Sequence, residues 1–267
     1  MDPLALPPSD LLSAPSSGER AGAWQRGVAL GALGRYGDAF IELEALDGAD
    51  RWVSLASSTL GSLHRQLGRY LPARALDLRA LDLAADAEAR VEALLGLAAD
   101  AVGLAETDDA AGHLGAALAV GGDPGWRPRV RSGWVAAEVA FLRGDAGPGL
   151  EAAEASVRAA HESGSGRHLA KSLLFRCVGR LLTGDAGAAL DDGEAALRLA
   201  LALGTRPLVW PAVALLRAPG LAERLPADRL GEVRAQGRGA VLAIATGLPR
   251  DLAGEWLAKP DVAALLR

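Results

Sequence analysis

Leu33-Gly34-Arg35-Tyr36 is followed 34 residues later by Leu67-Gly68-Arg69-Tyr70. Gly27 and Gly61 keep the same offset, and so do Ala39 and Ala73. Six coincidences at one spacing mark an internal repeat, in which one supersecondary unit is used again and again. Outward from this pair the copies lengthen. Thr107-Asp108-Asp109-Ala110 takes the same turn, with Leu97-Ala98 before it and Ala117-Leu118 after it. Leu142-Arg143-Gly144-Asp145-Ala146 and Leu182-Thr183-Gly184-Asp185-Ala186 then match each other 40 residues apart. The anchors Ala39, Ala73, Ala110, Gly149 and Ala189 are separated by 34, 37, 39 and 40 residues. Thr107, Ala146 and Ala186 stand where the first two copies have tyrosine.

Each unit reads as an antiparallel helix pair that cannot bury its apolar stripe alone, so neighbours must stack. The segment after Asp185 shows the stripe. Ala186, Ala189, Leu190, Gly193, Ala196, Leu197, Ala200 and Leu201 recur at i, i+3, i+4 and i+7, and Asp191, Asp192, Glu194 and Arg198 are expected to face away. Ser16-Ser17-Gly18-Glu19 reads as a capping box opening the first helix. Asp145 and Asp185 are expected at helix N-termini, where the dipole favours acid. Beyond residue 204 the prolines 207, 211, 219 and 226 cut the chain into shorter helices. A long helix over 227–246 and two short ones over 251–258 and 261–266 follow. The expected organisation is a flexible, proline-rich leader over 1–15, helical repeats over 16–204, and a degenerate sixth pair with a cap over 205–267.

Composition agrees with helices packed through small residues. Of the 267 residues, 50% are hydrophobic but only 4% are aromatic, which disfavours a β-sandwich. The net charge of −5 is the wrong sign for a protein that draws its affinity from nucleic-acid phosphates. No apolar run approaches a membrane span, and the first residues lack the pattern of a secretory signal, so the sequence reads as soluble and cytoplasmic. Cys177 is the single cysteine, which excludes an internal disulfide or a multi-thiolate metal site.

The 34-residue period, with glycine at the turn, an aromatic opening the second helix and alanine where the helices cross, resembles the tetratricopeptide repeat (TPR) family. The resemblance implies an all-α, right-handed α-solenoid of about five TPR-like helix pairs plus a C-terminal helical cap. It also implies a concave groove that binds a partner segment. The groove would be lined by Arg65, Gln66, Glu92, Arg131, Trp134, Glu138, Phe141 and Lys171, with Trp24 near such a position. Family members that grip a C-terminal carboxylate do so with Lys, Asn and Arg at positions held here by Trp24, Val28, Thr59, Glu92 and Gly96. That clamp is absent. The stretch 239–258 is similar to the tail of the helical sensor region in bacterial transcription regulators of the maltose-regulator type.

The chain offers little catalytic signal. His161 and His168 flank what reads as an inter-helix loop, and their spacing of seven does not fit a zinc HExxH helix. Gly164 to Ser172 fails the phosphate-loop pattern, because Ser165 and Ala170 stand at its two glycine positions and no strand precedes it. His64 and Cys177 read as packed core residues. An enzyme would need a cluster of perturbed titratable groups in a pocket around His161, His168 or Lys171. The expected function is therefore non-enzymatic, with no cofactor and no metal: binding of a peptide or protein segment in the groove. A ligand-responsive sensor is the alternative, with no direct nucleic-acid or membrane contact, and self-association open to a solenoid with an exposed end.

Overall fold

In a computed structural model, which describes residues 2–15 and 18–267, all regular structure is helical and no strand occurs among the described residues. A single 3-10 turn (Pro3–Ala5) and α1 (Pro8–Leu11) precede the repeats. Five pairs follow: α2 (Glu19–Ala32) with α3 (Tyr36–Glu44), α4 (Arg51–Gln66) with α5 (Tyr70–Asp82), α6 (Ala87–Gly103) with α7 (Thr107–Leu118), α8 (Trp126–Arg143) with α9 (Ala146–Glu162), and α10 (Gly166–Leu182) with α11 (Ala186–Ala202). A sixth pair, α12 (Arg206–Leu216) and α13 (Ala227–Thr246), leads to α14 (Arg250–Leu257) and α15 (Pro260–Ala264). Each helix packs on its neighbours in sequence, and the first helices of successive pairs also pack on one another. The protein is an all-α helical-repeat solenoid.

One backbone device closes the turn within each of the first five pairs. The N–H groups of Arg35, Arg69, Glu106, Asp145 and Asp185 each donate to a carbonyl five residues back, at Leu30, His64, Ala101, Ala140 and Arg180. The residue before each donor holds a left-handed conformation: Gly34, Gly68, Gly144 and Gly184 in four cases and Ala105, at φ 59°, in the third repeat. This is a helix C-cap with a 6→1 bond. The unequal repeat spacing comes from helix length and from the links between pairs, which run from three residues (163–165) to seven (119–125). The first helices grow from 14 residues in α2 to 18 in α8, and the second from 9 in α3 to 17 in α9 and α11. The anchors Ala39, Ala73, Ala110, Gly149 and Ala189 are all buried where the paired helices cross.

The chain returns to its start. Gly37 N–H donates to Gly247 O, Arg206 donates to Leu33 O, and Lys259 donates to Gly68 O. Ile244 packs so closely on Gly34 that a Cβ there would lie 2.8 Å from it. The last helices thus sit against the turns of the first two repeats, and one apolar cluster runs from Leu4 to Leu265.

Two expectations change. Residues 2–14 do not stand apart as a leader: Leu4 and Leu11 are buried, and the Asp2 carboxylate accepts from Trp126 Nε1 at 2.7 Å. Asp192 does not face solvent but is buried, because Arg176 and Arg180 reach it from α10 at 2.6 and 2.8 Å. The link between His161 and His168 is short, as only residues 163–165 separate α9 from α10. The capping box proposed at Ser16 and Ser17 lies outside the described residues; Gly18 is the N-cap of α2.

Candidate functional site

The first helices of the pairs surround a central cavity of about 300 Å³. Val28, Gly31 and Ala32 come from α2, Thr59, Ser62 and Gln66 from α4, and Ala99, Val102 and Gly103 from α6. Because the sixth pair folds back, Pro207 and Leu208 of α12 also line the space. Tyr70 reaches it over Gly103, where a Cβ would lie 2.1 Å from its ring.

Charge is concentrated on the wall formed by α8 and α10. Arg127, Arg131, Trp134 and Glu138 recur at i, i+4, i+7 and i+11 along α8, and Arg167 and Lys171 at i and i+4 along α10, so each set shares one face. Glu92, fully buried behind this wall on α6, takes Arg127 at 3.0 Å on one oxygen and Arg131 on the other. On the α4 side, Arg65 bridges two buried carboxylates, Asp77 at 2.5 Å and Asp100 at 2.7 Å, and also donates to Gly96 O. Burial raises both acids despite Arg65, and brings Asp100 to about 7.

Arg167 is different. Among the described residues no group is hydrogen-bonded or ion-paired to its guanidinium. Burial, reinforced by Arg127 and Arg131, depresses its pKa to about 9. A guanidinium keeps its charge in proteins, and Arg167 is half-buried, with its charged head open to the cavity. Lys171 is held over the Trp134 ring at 4.4 Å and its pKa falls to about 8, because burial outweighs the attraction of Glu138. Glu138 itself is raised by burial against the pull of Lys171, Arg65 and Arg131.

Aromatic rings build the floor beneath these charges. Trp134 is buried, donates from Nε1 to Ser172 Oγ at 2.8 Å, and stacks on His168 and Phe175 at centroid distances of 5.5 and 6.2 Å. Trp126 meets the edge of His168 at 4.8 Å, and His168 Nδ1 lies 2.7 Å from Ser165 Oγ. Burial, then Arg167, Arg127, Arg131 and Lys171 around it, hold His168 well below the ordinary imidazole range. The folded state therefore refuses a proton that the unfolded chain accepts near pH 6.5. The stabilising contribution is complete above that pH and is lost as pH falls, at up to about 1.4 kcal/mol per pH unit. Denaturant midpoints between pH 7.5 and 5 should fall more steeply for the wild type than for His168→Gln. Parallel curves would show that His168 does not carry this dependence.

Six of the eight groove residues read from the sequence meet at this cavity: Arg65, Gln66, Arg131, Trp134, Glu138 and Lys171. Glu92 lies behind the wall as the counter-ion of Arg127 and Arg131. Phe141 lies elsewhere, pressed onto Gly149 of its partner helix, where a Cβ would be 2.2 Å from the ring. Trp24 is buried with Nε1 on Thr59 Oγ1 at 3.1 Å and the Arg127 guanidinium 5.7 Å above its ring. Arg127, Arg167 and Tyr70 join the site although nothing in the sequence had marked them for it, and so does His168, weighed from sequence only for metal binding or catalysis. The i, i+4 recurrence of Arg127 with Arg131, and of Arg167 with Lys171, was the available signal. Cys177 is buried and its thiol is pushed up to about 12 by burial, as an inert core residue. Among the described residues no group of three or more His, Cys, Asp and Glu is placed to hold a metal ion, and no helix is long and apolar enough to cross a membrane.

No protein-family model matches the chain, and no curated protein matches it. Solved structures do. The crystal structure of a Rap protein complexed with competence and sporulation factor superposes with a TM-score of 0.63, covering 96% of this chain and 72% of that one. That likeness establishes the fold. Sequence identity over the match is 13%.

Proposed function

We propose that this chain is a non-enzymatic, TPR-like binding module that takes a short peptide or protein segment into its central cavity. The observation that carries the reading is the cavity itself, a concave space walled by the first helix of every pair and mixing aromatic, apolar and charged side chains on rigid elements. The Rap protein of similar fold was solved in complex with a factor, which supports a binding role for this architecture. Lys171 and His168 are perturbed and share a pocket, as an active site would require. Yet the lysine lies on the Trp134 face and the His168 ring is covered by Trp126 and Trp134, an arrangement that suits packing and recognition. The small volume favours a second reading, in which a small effector fills the site and shifts the contacts between the first and last repeats.

A library of short peptides immobilised by their N-termini, probed with the full chain, tests the first reading. Wild type should bind a subset, and Ala99→Trp, which fills the cavity wall without touching its charges, should lose at least about tenfold in affinity. Equal binding by the two proteins would place the interaction elsewhere, and no binding by either would remove the peptide reading in favour of the small effector.

A further inference from the structure

The charged wall is not neutral. Five cationic groups, Arg65, Arg127, Arg131, Arg167 and Lys171, face the cavity. Four carboxylates accompany them: Glu138 on the cavity, and Glu92, Asp77 and Asp100 buried behind it. Their pairing is uneven. Arg65 alone serves Asp77 and Asp100. Glu92 alone serves Arg127 and Arg131. Glu138 is left opposite Lys171, and Arg167 is left with nothing. The excess positive charge therefore sits on the α8 and α10 side, at Arg167 with Arg127 and Arg131 beside it, in a protein whose net charge is −5.

The Arg167 guanidinium is half-buried and open to the cavity, and no acceptor of this chain sits on it. Its planar fork is also the side chain best shaped to take two oxygens of one oxyanion. We propose that Arg167, with Arg131 and Lys171, holds a carboxylate of the ligand in the central cavity. This deepens the binding reading above by naming the chemistry of the occupant, and it rests on that reading only for the occupant being a peptide. The planar fork of Arg167 fits the two oxygens of a carboxylate, the oxyanion that a peptide supplies. The site is separate from the carboxylate-gripping positions of the TPR resemblance, which hold Trp24, Val28, Thr59, Glu92 and Gly96.

Two measurements decide it. In the first, the full chain and its Arg167→Gln variant are melted in rising succinate, inorganic phosphate or chloride at matched ionic strength. Without succinate or phosphate the variant should melt at least as high as the wild type, because the Arg167 guanidinium makes no ion pair or hydrogen bond that the variant would lose. Succinate should raise the wild-type midpoint saturably and leave the variant close to its starting value, with Arg167→Lys in between. A variant that melts lower without added anion, or that responds to succinate as the wild type does, overturns the proposal. Stabilisation by phosphate but not succinate overturns the carboxylate assignment. In the second, peptides that bind are compared as free acids, as C-terminal amides, and with Asp or Glu replaced by Asn or Gln. Loss of the recognised carboxylate should cost about 10- to 100-fold in the wild type and little in Arg167→Gln, and the series shows whether it is the terminus or a side chain. Peptides that bind with no dependence on any carboxylate sink this inference and leave the binding reading intact. Arg167-dependent protection by succinate without peptide binding does the reverse.

Discussion

Arg65→Met should lower the stability of the folded chain by about 3–5 kcal/mol, the cost of leaving buried acids without their counter-ion. Asp77 and Asp100 are fully shielded from solvent and Arg65 is 11% exposed, so water cannot replace the guanidinium. Asp77 is wedged between glycines: a Cβ on Gly61 or Gly96 would lie 2.6 or 2.2 Å from its carboxylate. The acid thus has no room to swing toward solvent. Chemical denaturation at pH 7 measures the loss, and hydrogen exchange should localise it to α4, α5 and α6. The triple variant Arg65→Met/Asp77→Leu/Asp100→Leu should recover much of the stability, since a well-packed apolar set can replace a buried ion cluster. A loss under about 1 kcal/mol for Arg65→Met would mean that both acids are neutral in the folded state and that Arg65 contributes only packing.

Trp134→Ala should cost a similar amount, about 3–5 kcal/mol, through the void left by a buried indole. Its ring supports three neighbours together: His168 and Phe175 stack on it and Lys171 lies over it. Truncation therefore also removes the surface that orients the cationic wall. Trp134→Phe separates the two contributions. It keeps most of the ring area but leaves Ser172 Oγ without its Nε1 donor, and should cost about 1–2 kcal/mol. Urea denaturation of both variants checks the ratio. If Trp134→Ala is no worse than Trp134→Phe, the ring is not a packing element of α8 and α10.

The 34-residue offset between Leu33-Gly34-Arg35-Tyr36 and Leu67-Gly68-Arg69-Tyr70 was enough to reveal the helix pairs, and the same turn bond in all five repeats explains why the pattern survives growing helix length. Such turns are local: a left-handed residue and a carbonyl five residues back lie within one stretch of chain, and a sequence displays local chemistry openly. The long helix over Ala227–Thr246 was legible for the same reason. The lining residues Arg65, Gln66, Arg131, Trp134, Glu138 and Lys171 came from the TPR resemblance, in which the first helix of each pair turns the same face inward, and all six line the cavity.

What the tertiary structure alone decided was pairing between distant residues. Arg65 meets Asp100 across 35 positions, and Glu92 meets Arg131 across 39. Asp77 is instructive. It stands 34 residues after Leu43, in the same core slot, where a carboxylate is tolerable only because Arg65 arrives from the neighbouring helix. Asp192 likewise sits on the face assigned to solvent until Arg176 and Arg180 are seen to reach it. Periodicity reports whether a position is apolar, but not whether a buried charge has found a partner. The return of α12 to α15 onto the first repeats, which turns an open groove into a bounded cavity, depends on small accumulated rotations between stacked pairs. Arg167 shows the limit from the other side: only after every pairing is known can one charge be recognised as left over.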